Sequence, residues 1–407
     1  MCATDDPRPM KISKTVLGIQ PSTHRKVIAI AERKKREGKS VYNFSQGQPG
    51  LPPDAEAVSG LIERLSRQPF ECSRYVETKG MGELRQAISM DLKNYGGIDV
   101  PHDQIMVTDG AVEGLNLALA TLTEPNDKVA LLDPCYSVYW DLLAFHDLKT
   151  TAIPQDISLG FQPSIEGIKE TMASGISAMI VCSPDNPTSR ILSEEAARTI
   201  VDEAVDRQIT ILYDEAYKHM TYEGKHLWIQ NFGNAMDHVI SLNSFSKDLA
   251  LPGFRLGYVY GPNEVIEQMA KVKAFTSICS PTPSQYLALE YYRRGLKERY
   301  LSSALPVYRK RRDALYEAII EHLPRAEVFK PVAGMYLFPD ISPYLRDLSM
   351  NDVEFCIRMA EEAEVITVPG SASGPAGSGH LRLCFVVETE DKLKAGIERM
   401  ASFIESF

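Results

Sequence analysis

The chain has 407 residues, 44% of them hydrophobic and 24% charged, with a formal net charge of −10. That length exceeds what a single core usually fills, so two packed domains are expected. The acidic balance argues against a nucleic-acid partner, which needs a basic surface, and no apolar run approaches the roughly 20 residues that span a bilayer.

The cysteines (Cys2, Cys72, Cys135, Cys182, Cys279, Cys356 and Cys384) are odd in number, scattered and never in CxxC spacing. They read as reduced thiols of a cytoplasmic protein, not as a disulfide framework. Residues Met1–Asp6 lack the charged and apolar regions of a signal peptide, and their acidic side chains fit a transit peptide poorly. The first dozen residues are polar and contain proline, which predicts a loose arm. The basic amphipathic segment Arg25–Lys39 reads as a helix with a solvated face. Its Gly38-Lys39-Ser40 resembles the end of a phosphate loop, but Arg33 stands where that motif needs glycine.

From about residue 104, short β-branched runs alternate with helical stretches. Strands are predicted at Gln104–Thr108, Lys128–Leu132, Ala178–Cys182, Ile209–Tyr213, Val239–Leu242 and Leu256–Tyr260, with helices such as Glu113–Leu122 and Glu194–Arg207 between them. This alternation predicts an α/β layer with a mostly parallel sheet. No GxGxxG follows the first strand, which counts against a dinucleotide fold. After about residue 290 the texture becomes α+β. A long charged helical stretch, Tyr291–Leu323, leads to strands at Met335–Phe338 and Leu381–Val387 and a helix at Asp352–Ala363. The Gly/Ser/Ala/Pro-rich loop between Gly370 and Gly379 is either a flexible connector or a piece beside a site, since Arg382 follows it on an apolar strand.

Lys247 lies in Ser244-Phe245-Ser246-Lys247 and is followed by Pro252-Gly253-Phe254-Arg255. A lone lysine is most simply a surface charge. Small hydroxyls and a guanidinium converging after a strand, however, make a phosphate cup, and an amine beside such a cup should have a lowered pKa. Asp214 ends a predicted strand, where ligands of open α/β sheets sit; a turn or helix-cap aspartate is the plain alternative. A lysine amine can hold an aldehyde, a carboxylate a protonated pyridine nitrogen, and an arginine a phosphate. Pyridoxal 5'-phosphate (PLP) carries all three groups. Asn186, between prolines in Ser183-Pro184-Asp185-Asn186-Pro187-Thr188, is a turn residue whose amide could also donate to the cofactor's 3'-oxygen. Tyr217 could present its phenol to the same oxygen, or pack. Asp109-Gly110-Ala111-Val112 opens a helix whose free N–H groups suit a phosphate. Tyr136 could stack on a planar cofactor, or fill core.

With these elements in order, the chain resembles a fold-type I PLP-dependent enzyme of the aminotransferase class I/II family, similar to bacterial aspartate and aromatic aminotransferases. The resemblance runs from about Ile12 to the C-terminus. It rests on the Ser-x-Ser-Lys, Gly-x-Arg, Asp-Glu-x-Tyr and Asn-Pro-Thr elements in family order. It implies a large domain, 46–290, with a mostly parallel mixed sheet between helices. A smaller α+β domain, 291–407, would be joined by the N-terminal arm and helix, 1–45. Lys247 would form the Schiff base and shuttle the proton, and Asp214 would pair with the pyridine nitrogen. Asn186 and Tyr217 would bond the 3'-oxygen, and Tyr136 would stack on the ring. Ser244, Ser246, Arg255 and the Gly110, Ala111 and Val112 backbone would hold the phosphate. Tyr75 would reach the phosphate of a second subunit, implying a homodimer with shared sites. Arg382 would grip the substrate α-carboxylate, with Gly47 offering its backbone beside Asn186.

The implied activity moves an amino group from an L-amino acid to a 2-oxo acid by a ping-pong route. Departures from the family pattern leave the donor open. Ser189-Arg190 replaces the usual glycine after Asn-Pro-Thr, the segment Gly47-Gln48-Pro49-Gly50-Leu51 is unusual, and Val112 stands where aspartate-specific members often carry lysine. The rival readings are another PLP reaction, a β- or γ-elimination or an oxidation, and a non-enzymatic regulator. The regulator is disfavoured because no helix-turn-helix precedes the family core. A metal hydrolase is disfavoured because the histidines show no ligand spacing.

Overall fold

The computed structural model describes residues 10–18 and 23–407. Cys2, Met1–Asp6 and most of the expected loose arm lie outside the described residues.

A seven-stranded sheet organises the chain. Its strands are β2 (Ile105–Thr108), β3 (Lys128–Asp133), β4 (Lys149–Pro154), β5 (Ala178–Cys182), β6 (Thr210–Asp214), β7 (Val239–Ser244) and β8 (Gly257–Tyr260), in the order β2-β8-β7-β6-β5-β3-β4. The β7, β6, β5, β3 and β4 pairings are parallel, while β8 runs antiparallel to both neighbours. Every residue of β2, β5, β7 and β8 is buried. Covered on both faces, such strands need the continuous apolar runs that made them legible. The parallel strands β3, β5, β6 and β7 therefore end along one edge, at Asp133, Cys182, Asp214 and Ser244.

The helix Glu194–Arg207 shows how the layers are held. Ser193 caps it by accepting from the Ala196 N–H, Glu194 and Glu195 oppose the helix dipole in the first turn, and Arg207 does so in the last. Its buried face is Ala196, Ala197, Ile200, Val201 and Ala204, a helical spacing that packs against sheet residues including Val181 and Ile211. Ile200→Ala there would cost about 2–4 kcal/mol by opening a cavity.

The C-terminal region carries β9 (Tyr336–Leu337), β11 (Val368–Pro369) and β12 (Leu381–Cys384) as an antiparallel sheet with β12 central. The short β1 (Tyr42–Asn43) pairs in parallel with β10 (Val365–Ile366), and helix Thr23–Arg36 packs on helix Asp352–Glu362. The basic N-terminal helix thus exposes Arg25 and Lys26 but buries Val27, Ala31 and Lys34. The long helical stretch expected at Tyr291–Leu323 is broken. Gly295, at φ 64°, separates helix Thr282–Arg293 from helix Leu296–His322. Left-handed backbone costs glycine nothing, so the chain turns there. Among the described residues, no helix is long and apolar enough to cross a membrane.

Candidate active site

A cavity of about 800 Å³ opens at the C-terminal edge of the parallel strands, where β12 and the loop before it close over the sheet. Its lining includes Gly47, Gly110, Ala111, Val112, Tyr136, Asn186, Asp214, Tyr217, Ser244, Ser246, Lys247, Arg255 and Arg382. Residues as far apart in sequence as Gly47 and Arg382 therefore face one space.

Lys247 projects from the short helix Phe245–Asp248 that follows β7. Its Nζ donates to the Gly47 carbonyl at 2.6 Å and stands 5.7 Å from the Tyr217 ring centre. Burial pulls its pKa down to about 8, and nearby Arg382 and Arg255 push the same way. A Cβ at Gly47 would lie 2.4 Å from Tyr336 Oη, so a side chain there would displace the Tyr336 hydroxyl.

Asp214 is buried at the end of β6. Its Oδ1 accepts from the Ala216 N–H at 3.0 Å, and its Oδ2 accepts from Tyr139 Oη at 2.7 Å. The turn bond from Ala216 and the bond from Tyr139 thus use different oxygens of one carboxylate. Burial raises the pKa of Asp214, and the two hydrogen bonds only partly oppose it. A cation placed against this carboxylate would be stabilised.

Arg382 on β12 is buried as well. Its Nη1 donates to Asn186 Oδ1 at 3.3 Å and its Nη2 to the Ser45 carbonyl at 3.1 Å, and its guanidinium lies 4.6 Å from the Tyr336 ring centre. Nε is buried without a hydrogen-bond partner, and Arg382 has no ion-pair partner among the described residues. A buried guanidinium held only by neutral groups is a ready receptor for a carboxylate.

At the other end of the cavity, Arg255 is exposed and donates from Nη2 to the Asp109 carbonyl at 3.2 Å. Gly110, at φ 92°, starts helix Ala111–Leu122 and lets Arg255 approach, since a Cβ there would lie 2.9 Å from Nη2. Ser244 Oγ caps the lysine helix by accepting from the Ser246 N–H at 3.2 Å. Backbone N–H groups at a helix start, hydroxyls and a guanidinium together form a cup for an anion.

The sequence profile of the family described as Aminotransferase class I and II matches residues 39–400. The chain belongs to this family. It is 29% identical over 399 residues to aromatic-amino-acid aminotransferase 2 of Thermococcus litoralis, covering 97% of this chain and 99% of that one. It is 31% identical over 345 residues to the aspartate aminotransferase of Pyrococcus horikoshii, covering 84% and 86%. The solved aspartate aminotransferase of Thermus thermophilus with maleate superposes at a TM-score of 0.89 with 27% identity, over 97% of this chain and 99% of that one. The enzyme is thus an aminotransferase of fold type I.

Of the residues given a cofactor, substrate or catalytic role from the sequence, all but Tyr75 line the cavity. Tyr75 is 74% exposed and does not line it. Several site residues had not been anticipated. Tyr139 holds Asp214, and Tyr336 lies under Arg382 while sharing a 3.2 Å hydrogen bond between its hydroxyl and that of Tyr217. The only sequence sign of Tyr139 was its helical spacing from Tyr136; Tyr336 gave no sign beyond its place in a predicted strand. The Gly370–Gly379 loop sits beside the site and is tied to it. The Ser373 carbonyl accepts from the Cys135 N–H at 2.8 Å, and the Ala376 N–H donates to Asp133 Oδ2 at 3.0 Å.

Proposed function

We propose that the cavity holds PLP and that the aminotransferase uses it to move an amino group from an L-amino acid to a 2-oxo acid. The observation that carries this reading is the convergence of Lys247, Asp214, Arg255 and Arg382 on one cavity, with the Lys247 amine pulled down to about 8. The residues fit the cofactor. A low-pKa amine suits its aldehyde, a buried carboxylate wanting a cation suits its ring nitrogen, and the cup at Gly110 and Arg255 suits its phosphate. When bound, PLP supplies an electrophilic aldehyde and a ring that takes up the electrons of a broken Cα–H bond.

In this reading Lys247 is the nucleophile and then, at Nζ, the base that accepts the Cα proton of the donor. Asp214 keeps a ring nitrogen protonated, with Tyr139 fixing its orientation. Asn186 and Tyr217 address the 3'-oxygen, and Tyr136 covers the ring. Ser244, Ser246, Arg255 and the Gly110–Val112 backbone hold the phosphate. Arg382, aided by Asn186 and the Gly47 backbone, binds the donor's α-carboxylate. The Gly47 carbonyl is engaged by Lys247, so its N–H is the group free to serve the carboxylate.

We further propose a homodimer in which Tyr75 serves the phosphate of the other subunit. The exposed Ile62, Leu65, Phe70 and Tyr75, close together in sequence, support a covered face there. The division into 1–45, 46–290 and 291–407 is supported by the packing of β1 and helix Thr23–Arg36 on the C-terminal region. A cytoplasmic setting is supported by the free thiols of Cys72, Cys135, Cys182, Cys279, Cys356 and Cys384.

The test is a single half-reaction. The protein loaded with PLP is mixed with a panel of amino acids that includes aspartate and aromatic donors, without any 2-oxo acid. Conversion of the visible band to the pyridoxamine form, with release of the matching 2-oxo acid, is expected for at least one donor. Release of ammonia without that conversion would overturn transamination.

A further inference from the structure

Behind the anion cup lies a cation that the cup does not expose. Lys273, on helix Asn263–Thr276, has 0% exposure. Its Nζ donates to Glu113 Oε1 at 3.0 Å, to Glu113 Oε2 at 2.7 Å and to Ser277 Oγ at 2.9 Å, and stands 3.7 Å from Asp109 Oδ1. Ser277 Oγ in turn donates to Glu113 Oε1 at 2.6 Å, and Glu113 Oε2 accepts from the Asp109 N–H at 2.6 Å. Asp109 Oδ1 is buried with no hydrogen-bond partner, so Lys273 is the only cation in ion-pair range of it among the described residues.

This arrangement has a cost that needs explaining. Asp109 and Glu113 bracket Gly110, Ala111 and Val112, the cavity-lining turn proposed to receive a phosphate dianion. Two carboxylates so close to a dianion repel it, and more strongly in a partly buried setting than in water. Lys273 places one buried positive charge between them. Glu113 is also the group that holds the Asp109 N–H, and Lys273 holds Glu113 by both oxygens.

We propose that Lys273 is a positioning residue for anion recognition. It does not touch the phosphate, but it offsets the Asp109 and Glu113 charges beneath the Gly110–Val112 turn and so lets the cup accept a dianion. This rests on the cofactor reading above. A purely structural buried ion pair would stabilise the fold without favouring a phosphorylated ligand over its dephosphorylated form.

The experiment titrates apo protein with PLP and, separately, with pyridoxal, which keeps the aldehyde and ring but lacks the phosphate. Binding is read from the visible absorption of the captured cofactor. For Lys273→Met, PLP should bind about tenfold or more weakly, while pyridoxal changes by less than about twofold. Lys273→Arg should keep the wild-type preference for PLP. The double variant Lys273→Met/Glu113→Gln, which restores the charge balance, should recover that preference to within about threefold. If Lys273→Met does not fold, the double variant decides, since loss of the preference there overturns the charge-offset role. Equal weakening of PLP and pyridoxal in Lys273→Met also overturns it, as does unchanged PLP binding. A wild-type protein that prefers PLP no more than pyridoxal overturns the cofactor reading itself, and this role with it.

Discussion

The two ends of the cavity are built by different means. The cup at Gly110 and Arg255 is made of short contiguous segments, 109–113 and 244–255, placed by adjacent strand ends and open to solvent at Arg255. The Arg382 end is made of single side chains from distant segments (Ser45, Asn186, Tyr336 and Arg382) and is buried throughout. A group common to every catalytic cycle is best held by backbone and local turns, which little can disturb. A site that takes up and releases a substrate carboxylate each turnover is better served by an unpaired guanidinium whose neighbours are neutral.

In the proposed reading Lys247 carries the chemistry, so its loss should have the largest effect. Lys247→Ala should lower the rate of the donor half-reaction by about 10³-fold or more. Stopped-flow absorbance checks this, and a rate within tenfold of wild type would break the assignment. Next, Arg382→Lys should separate the two ends. A lysine cannot offer the planar fork, so kcat/KM for the donor should fall about 10²-fold, chiefly through KM, while PLP affinity stays within about twofold. A weakened PLP affinity with unchanged KM would reverse the roles given to the two ends.

The pH dependence follows from burial of the Lys247 amine. Its pKa is lowered from the ordinary 10.5 to about 8. Capture of pyridoxal by apo protein should therefore rise about tenfold per pH unit below that value and level off above it. Between the two values the unfolded chain binds more protons than the folded one, so the amine's contribution to apo stability rises with pH across that window. A capture rate still climbing towards 10.5 would contradict the lowered pKa. The smallest effect is expected at Tyr75. Tyr75→Phe should weaken PLP binding about threefold, the loss of one hydrogen bond, with the KM for the donor unchanged.

The same contrast governs what could be read from the sequence. Ala178–Cys182 and Glu194–Arg207 fold with the bounds their patterns gave, and Asp214 at the end of one strand and Lys247 just after another stand where local motifs place them. β4 was not legible. Lys149–Pro154 is a sheet-edge strand, its first four residues exposed or half-buried, so it needs no continuous apolar run and ends on proline. Ser45, Tyr139 and Tyr336 were not legible because their roles arise only when remote segments meet. The break at Gly295 was also hidden, since a single glycine in a charged helical pattern is usually tolerated.

The most direct test of the central claim is to reduce the PLP-loaded protein with borohydride, digest it, and find the labelled residue by mass spectrometry. Reduction should fix the cofactor to the peptide carrying Lys247 and to no other lysine. A label elsewhere, or no label from a protein that has bound PLP, would contradict the account.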